Sequence, residues 1–189
     1  MLLRGERCAE VKTLYLERST GDCRDGGWAE EINLDGVERI VVGLGPGSFA
    51  GIRSALAFAQ GAALGCGCGV FGLPSPCAIA AKTPVKDLAV VGDARRGKFW
   101  VAIFEDMKLR GGVFQVERAA LADAVGAGRS VVSPDDARIG AELRGIFADR
   151  YLGLRDGDGE GLEIYAEANA EELVAEPLPI YLNPAVRAD

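Results

Sequence analysis

The spacing of apolar side chains predicts a strand–helix–strand unit in the first half of the chain. Residues 39–44, RIVVGL, are β-branched or apolar, which is typical of a strand buried on both faces. From Ser48, an expected N-cap, apolar side chains recur at helical spacing as far as Gly65, and residues 68–73, CGVFGL, form a second apolar run. This order predicts a right-handed crossover between parallel strands.

Alternating apolar and polar positions predict further strands, each bounded by turn residues. They are residues 12–18 and 26–32 as a hairpin, 87–92 and 98–104 as adjacent antiparallel strands, 112–116 as a third strand beside them, and 180–182 as an edge strand.

Helical spacing recurs outside the first unit, at residues 75–82, 121–125, 138–148 and 166–174. Residues 156–161, DGDGEG, are instead typical of a mobile loop. Strands and helices that alternate in this way predict an α/β protein.

Composition excludes several classes of function. The chain has 189 residues, 49% of them hydrophobic, and a net charge of -7, so it can bury a core but would repel nucleic acid as a whole. Neither a signal peptide nor a membrane span is indicated, and we expect a cytoplasmic protein. Its five cysteines, Cys8, Cys23, Cys66, Cys68 and Cys77, are expected to be reduced thiols.

The chain contains no histidine. Catalysis by Ser-His-Asp or Cys-His groups and any histidine-ligated metal site are therefore excluded. The carboxylates of residues 156–163 suggest half of a calcium loop, but they lack the spacing of the twelve-residue pattern. We expect neither a metal nor a cofactor.

The glycine-rich stretch GLGPGSFAG, residues 43–51, offers three interpretations. It lacks the lysine of a Walker A loop. It matches G-x-G-x-x-A between a strand and a helix, but Pro46 removes one N–H and no acidic residue follows the next strand, so a dinucleotide site is disfavoured. The remaining interpretation is a tight turn in which Gly45, Gly47 and Gly51 permit close packing, and whose free N–H groups could bind an anion.

A second turn, GDARRGKFW, places Asp93 beside Arg95 and Arg96. Either Asp93 caps its own turn and pairs with an arginine, or these arginines, with Arg53, contact a phosphate or an acidic partner. Trp28 and Trp100 are expected in the core or on a sheet face rather than as base-stacking platforms.

Several of these motifs together resemble the TsaB (YeaZ) family. VGLGPGSFAGIRSALAFAQGAALG is similar to its GPGSFTG signature and helix, VFGLPSPCAIAA to its next strand and turn, VVGDARRGKFWVAIFED to its hairpin, and AEPLPIYLNPAV to its closing segment. The resemblance implies an actin-like ATPase fold of two small lobes, here residues 1–83 and 84–189. It also implies a non-catalytic scaffold for the enzyme TsaD and the ATPase TsaE in making threonylcarbamoyladenosine in tRNA.

Related TsaD-like proteins carry a histidine-rich metal site and the label glycoprotease, but this chain has no histidine for such a site. It also lacks the family's Asp-Thr-Ser strand end, so its first strand and long helix are expected to be absent or reduced, with a shortened first lobe. The helix 48–65 would then expose Phe49, Ile52, Leu56, Ala59 and Ala63, or their neighbours, to a partner or a second copy.

The residues expected to bind a partner or an anion are Gly45, Pro46, Gly47, Ser48, Gly51, Arg53, Ala59, Asp93, Arg95 and Arg96. No catalytic residue is expected. Two alternatives stay open: a small-molecule kinase or hydrolase of the same fold with Asp93 as base, and a diverged homologue that only self-associates.

Overall fold

A computed structural model describes residues 11–20 and 32–182. Along these residues the strands are β1 (Thr13–Leu16), β2 (Arg39–Gly43), β3 (Gly69–Leu73), β4 (Asp87–Arg95), β5 (Lys98–Glu105), β6 (Lys108–Glu117), β7 (Ser130–Ser133), β8 (Tyr151–Leu154) and β9 (Val174–Ala175). The α-helices are α1 (Phe49–Cys66), α2 (Pro76–Ala81), α3 (Leu121–Val125), α4 (Asp136–Phe147) and α5 (Gly159–Ala168). Three single turns of 3-10 helix lie at Arg118–Ala120, Ala148–Arg150 and Ala170–Glu172.

The strands form two sheets, with the orders β1-β2-β3-β9 and β6-β5-β4-β7-β8. The predicted α/β class is confirmed. In the first sheet, β2 and β3 are parallel and α1 joins them, as the pattern of residues 39–73 predicts. Ser48 caps α1, whereas the helix ends at Cys66 because Gly67, not Gly65, adopts the left-handed C-cap conformation.

The strand predicted at residues 12–18 exists as β1, but its described neighbour is β2, to which it is parallel. The hairpin partner proposed at 26–32 lies almost wholly outside the described residues. The first strand, expected to be absent or reduced, is present as the four-residue β1, which extends the first sheet beyond β2.

The second sheet contains the predicted antiparallel strands. β5 pairs with β4 on one side and with β6 on the other, and β6 is longer than residues 112–116 suggest. The short parallel strands β7 and β8 were not predicted. They extend the sheet beyond β4.

The C-terminal third differs most from the sequence-based expectation. The helix predicted at 166–174 is displaced, because α5 runs from Gly159 to Ala168 and so begins inside the stretch expected to be a mobile loop. Asp158 caps α5 by accepting a hydrogen bond from the N–H of Gly161 at 2.9 Å. Residues 180–182 form no strand; Ile180 donates a single backbone hydrogen bond to Leu44, and the described edge strand beside β3 is β9.

The core is layered around both sheets. Ile40 and Val42 of β2 pack with α1, while Val41 between them packs on the other face with α2 and α5. The α2 and α5 layer also contacts the second sheet, whose opposite face is covered by α3 and α4. The chain returns to the first sheet through α5 and β9. The division into lobes at residues 1–83 and 84–189 stays a prediction.

Candidate functional site

The glycine-rich turn between β2 and α1 presses against the end of β1. Ser48 donates its backbone N–H to the carbonyl of Ser19 at 2.7 Å. A Cβ on Gly47 would lie 2.2 Å from that carbonyl oxygen, and one on Gly51 would lie 1.9 Å from the carbonyl oxygen of Arg18. These are backbone contacts that cannot be relieved by a side-chain rotation, so the tight-turn interpretation is confirmed at Gly47 and Gly51.

A half-buried glutamate, Glu17, lies beneath this turn, with its Oε2 atom out of reach of solvent. Its Oε1 accepts a hydrogen bond from the backbone N–H of Ser19 at 2.6 Å. Burial raises the pKa of Glu17, and hydrogen bonds from Ser19 and Ser75 offset part of the rise. Ser75 also accepts a hydrogen bond from Gly45 at 2.9 Å, so it joins the carboxylate to the turn. The sequence analysis did not single out Glu17; its only local signal is an acid at the end of a strand.

The turn between β4 and β5 is organised by Asp93. Its Oδ1 accepts the backbone N–H of Arg95 at 2.8 Å, and its Oδ2 lies 3.3 Å from the Arg95 guanidinium. Arg138, from the first turn of α4, approaches the same Oδ2 at 3.4 Å and also pairs with Asp135. Asp93 thus caps its own turn, which confirms the structural interpretation of this motif. Contact of the arginines with a partner or a phosphate stays a prediction.

The two turns face each other across a cleft of about 900 Å³. Five predicted site residues line it: Pro46, Gly47, Ser48, Asp93 and Arg95. The sequence analysis missed the contribution of α4, because Asp135 and Arg138 lie in a segment with no recognisable motif. Trp100 also lines the cleft but is only 3% exposed, as expected of a core aromatic, whereas Trp28 lies outside the described residues.

Two exposed aromatic residues mark one border of the cleft. The rings of Phe49 and Tyr181 are 5.6 Å apart, and the Arg53 guanidinium lies 4.9 Å from the centre of the Phe49 ring. Arg53 is thus at the border rather than among the residues that line the cavity. Arg96 is exposed but is likewise not a lining residue.

The remaining predicted residues, Gly45, Gly51 and Ala59, are buried in two different places. Gly45 and Gly51 are buried under the turn. Ala59 is 0% exposed and packs against the first sheet with Ile52 and Leu56, so the expected exposure of these three residues is wrong. They form the core face of α1, and Ala59 cannot contact a partner.

The outer face of α1 carries a different set of side chains. Leu64 is 88% exposed, and Arg53 is the single charged residue of the helix. A surface helix normally places several charged residues on its solvent side. Here that side carries one charge; the exposed residues of α1 are Phe49, Ala50, Arg53, Ala57, Gln60, Gly61, Leu64, Gly65 and Cys66.

The acidic stretch at 156–163 is not arranged around a common centre. Lys82 contacts Asp158 at 2.6 Å and Glu160 at 2.9 Å, and these hydrogen bonds raise the pKa of Lys82. Burial alone would raise the pKa of Asp158, but hydrogen bonds from Lys82 and Gly161 hold it below its ordinary value. Within residues 11–20 and 32–182 no three His, Cys, Asp or Glu side chains form a group that could hold a metal.

The model of the TsaD family, described as tRNA N6-adenosine threonylcarbamoyltransferase, matches residues 29–128, which is more than half of the chain. The chain belongs to this family. The matched range contains the glycine-rich turn, α1 and the Asp93 turn. No curated protein sequence matches the chain significantly.

Two solved structures from Pseudomonas aeruginosa share the fold of this TsaD-family chain. YeaZ is 22% identical, with a TM-score of 0.61 over 85% of this chain and 78% of its own. An uncharacterised protein described as similar to peptidase YeaZ is 21% identical, with a TM-score of 0.60 over 85% and 79% of the two chains. The family match and the shared fold confirm the resemblance to TsaB (YeaZ), and the two-sheet architecture is consistent with an actin-like fold.

The strand β1 ends at Leu16, and the residues that follow it, Glu17, Arg18 and Ser19, do not form the Asp-Thr-Ser sequence. Residues 33–38 contain a turn, closed by a hydrogen bond from the N–H of Val37 to the carbonyl of Leu34, rather than a long helix.

None of the helices in the described ranges is long and apolar enough to cross a membrane.

Proposed function

We propose that this protein is a cytoplasmic, non-catalytic partner subunit for a TsaD-type enzyme in the threonylcarbamoyladenosine modification of tRNA. The observation that carries the proposal is the outer face of α1. That face is exposed, carries a single charge and has small side chains at Ala57 and Gly61, which let a second helix approach closely.

The charge distribution supports a protein partner over direct contact with tRNA. The net charge is -7, and the outer face of α1 contributes one cation, Arg53. Phosphate backbones require clusters of lysine and arginine. In this proposal the partner enzyme, with a TsaE-type ATPase, handles tRNA and nucleotide, while this chain supplies the docking helix without metal or cofactor.

The test is co-purification with the TsaD homologue of the same organism. Ala57→Glu places a carboxylate on the outer face of α1, where it should change the stability of the free protein by less than about 0.5 kcal/mol. In the complex that carboxylate would be buried without a partner, so affinity should fall about tenfold or more. Ala141→Glu, the same change at an exposed site of α4, is the matched control and should bind like the wild type.

A wild-type chain that fails to bind, or an Ala57→Glu variant that binds equally well, would overturn the docking proposal. In isolation the same face would pair two copies, so sedimentation should show a wild-type dimer and an Ala57→Glu monomer. A strictly monomeric wild-type protein would contradict both the predicted dimer and the alternative of a homologue that only self-associates.

The arginines contribute a separable part of the proposal. Arg53 lies beside the outer face of α1, and Arg95 lines the cleft with its side chain 65% exposed. Both can reach an acidic partner surface or a phosphate. The double variant Arg53→Ala and Arg95→Ala should weaken the complex; unchanged affinity would assign both residues to local structure only.

The enzymatic alternative has one observation in its favour, which is that the cleft brings the glycine-rich turn and Asp93 to the same cavity. A kinase or hydrolase would use the turn for phosphate and Asp93 as base. Asp93 is already paired with Arg95 and Arg138, which leaves it poorly placed to accept a proton. Calorimetric binding of a nucleotide with magnesium that is lost in Asp93→Asn would favour the enzyme over the scaffold.

A further inference from the structure

Two cysteines flank the residue that ends α1. Cys66 is the last residue of the helix and is exposed, and Cys68 precedes β3 and is partly buried. Gly67 between them has φ 69° and ψ 24°, and its N–H donates to the carbonyl of Ala63 at 2.8 Å. The backbone at this point is therefore fixed in a left-handed turn by a hydrogen bond.

This turn sets the separation of the two cysteines. The distance between the Cα atoms on either side of a residue depends on the φ and ψ of that residue, and it is the same for a conformation and its mirror image. Gly67, with φ 69° and ψ 24°, is close to the mirror image of a helical residue. Helical geometry places such atoms about 5.4 Å apart. Disulfides span Cα separations of about 4.4–6.8 Å. Gly67 therefore holds the Cα atoms of Cys66 and Cys68 at a separation that disulfides span, whereas an extended residue there would place them further apart.

The surroundings also permit reaction. Cys66 is open to solvent, with one weak contact of its thiol to the carbonyl of Leu34 at 3.9 Å. A Cβ added at Gly65 or Gly67 would touch nothing within 4 Å, so the segment has room to adjust its backbone. Cys77 is different, because it is 0% exposed and burial raises the pKa of its thiol.

We propose that Cys66 and Cys68 form a thiol–disulfide exchange site that reacts with small-molecule disulfides. The Cys66 thiolate attacks one sulfur of the oxidant, which forms a mixed disulfide and releases the first small thiolate. The Cys68 thiolate then attacks the Cys66 sulfur and releases the second. The two cysteine protons end on the two released thiols, and the two electrons that the cysteines lose reduce the oxidant.

The ring closed by a disulfide across one residue is small and strained, so the bond is more readily reduced than a structural disulfide. The site is therefore reversible, and it agrees with the expectation of reduced thiols in a reducing compartment. The inference does not depend on the proposed scaffold role.

The experiment equilibrates the full wild-type chain with mixtures of oxidised and reduced glutathione, alkylates the remaining thiols under denaturing conditions and digests with chymotrypsin. Cleavage after Leu64 and Phe71 isolates a fragment that carries Cys66 and Cys68 without Cys77. We expect this fragment to appear two hydrogens lighter and unalkylated, in a fraction that rises with oxidised glutathione, is independent of protein concentration and disappears with excess thiol.

The single variants Cys66→Ser and Cys68→Ser are the matched controls, since each lacks the thiol that expels glutathione. Each should lose the lighter fragment and retain one glutathione on the remaining cysteine. Alkylation of both wild-type thiols at every ratio, glutathione on both, or a bond from either to Cys77 or to a second molecule would overturn the proposal.

Discussion

The two faces of α1 both contain alanine and glycine, but these small residues lie in opposite environments on the two faces. Ala59 is fully buried against the first sheet, while Ala57, two positions earlier, faces solvent. Similarly, Gly51 packs against the backbone of Arg18, whereas Gly61 has open space around it. Small side chains on the inner face allow the helix to approach the sheet, and we expect those on the outer face to allow a partner to approach the helix.

The largest expected effect tests the assignment of the inner face. Ala59→Glu puts an unpaired carboxylate into the core between α1 and β2, which should lower the free energy of unfolding by about 4 kcal/mol or more. Denaturant titration measures this loss. Ala57→Glu is the paired control, and similar stability of the two variants would contradict the orientation of α1.

The next effect concerns the first turn of α1. Gly51→Ala adds a methyl group 1.9 Å from a backbone oxygen of Arg18, so the helix must shift away from β1. Overpacking of this kind costs about 1–3 kcal/mol, which thermal unfolding can measure. A variant as stable as the wild type would show that α1 and β1 are farther apart than described.

A pH series tests the environment of Glu17 below the glycine-rich turn. Above the ordinary Glu17 pKa of 4.5, the unfolded chain loses its proton while the folded protein retains it up to the raised pKa. The unfolded state then binds fewer protons, so stability falls as pH rises through this window. Relative to Glu17→Gln, the wild type should therefore become progressively less stable in denaturant titrations from pH 4.5 upward.

Glu171 provides the opposite control. Its own backbone N–H and Lys108, at 3.1 Å, lower its pKa, so relative to Glu171→Gln the wild type should lose stability as pH falls toward that pKa. If the free energy of unfolding changed with pH in the same way in both comparisons, the burial of the Glu17 carboxyl group would be refuted.

The smallest effect belongs to the outer face. Gly61→Ala should stabilise the free protein by about 0.5–1 kcal/mol, because alanine favours the helix and its Cβ meets nothing. Gly145→Ala in α4, also without a neighbour within 4 Å, should give a similar gain. Both gains are measured in the dilute, monomeric protein, because a second copy on the outer face would change the stability of Gly61→Ala alone. A loss of stability in the Gly61→Ala monomer would indicate that another part of the same chain covers the outer face.

Local patterns predict the elements whose determinants are local. The β2–α1–β3 unit follows from an unbroken apolar strand and an N-cap at Ser48, and only the placing of the helix stop at Gly65 instead of Gly67 was wrong. Two glycines so close together give the same composition signal, whereas only Gly67 donates to the carbonyl of Ala63.

The elements that were missed depend on tertiary contacts. The composition of residues 156–161 is typical of a loop, yet Gly161 lies where a Cβ would be 2.3 Å from the carbonyl oxygen of Ala78 in α2. Close packing of two helices, rather than flexibility, explains that glycine. The strands β7 and β8 have four residues each, too few for a period-two pattern to stand out.

The residues that line the cleft could likewise be predicted only in part, because some of them meet through tertiary contacts. Ser48 and Asp93 were chosen individually from turn motifs, and the structure brings both to one cavity. Arg138 joins them only because β7 runs parallel to β4 and delivers α4 beside the Asp93 turn. Such a contact depends on strand order, which no local pattern encodes.

The return of the chain to its first sheet restricts how the protein can be divided. A fragment cut after Thr83 would lose α5, whose Leu162 and Tyr165 pack in the core with Ile79 of α2, and would also lose β9. Split-protein reporters and lobe exchanges between relatives would therefore leave an open sheet edge and an uncovered helix. A working transplant of the first lobe has to carry residues 159–175 with it, as a second segment of a discontinuous domain.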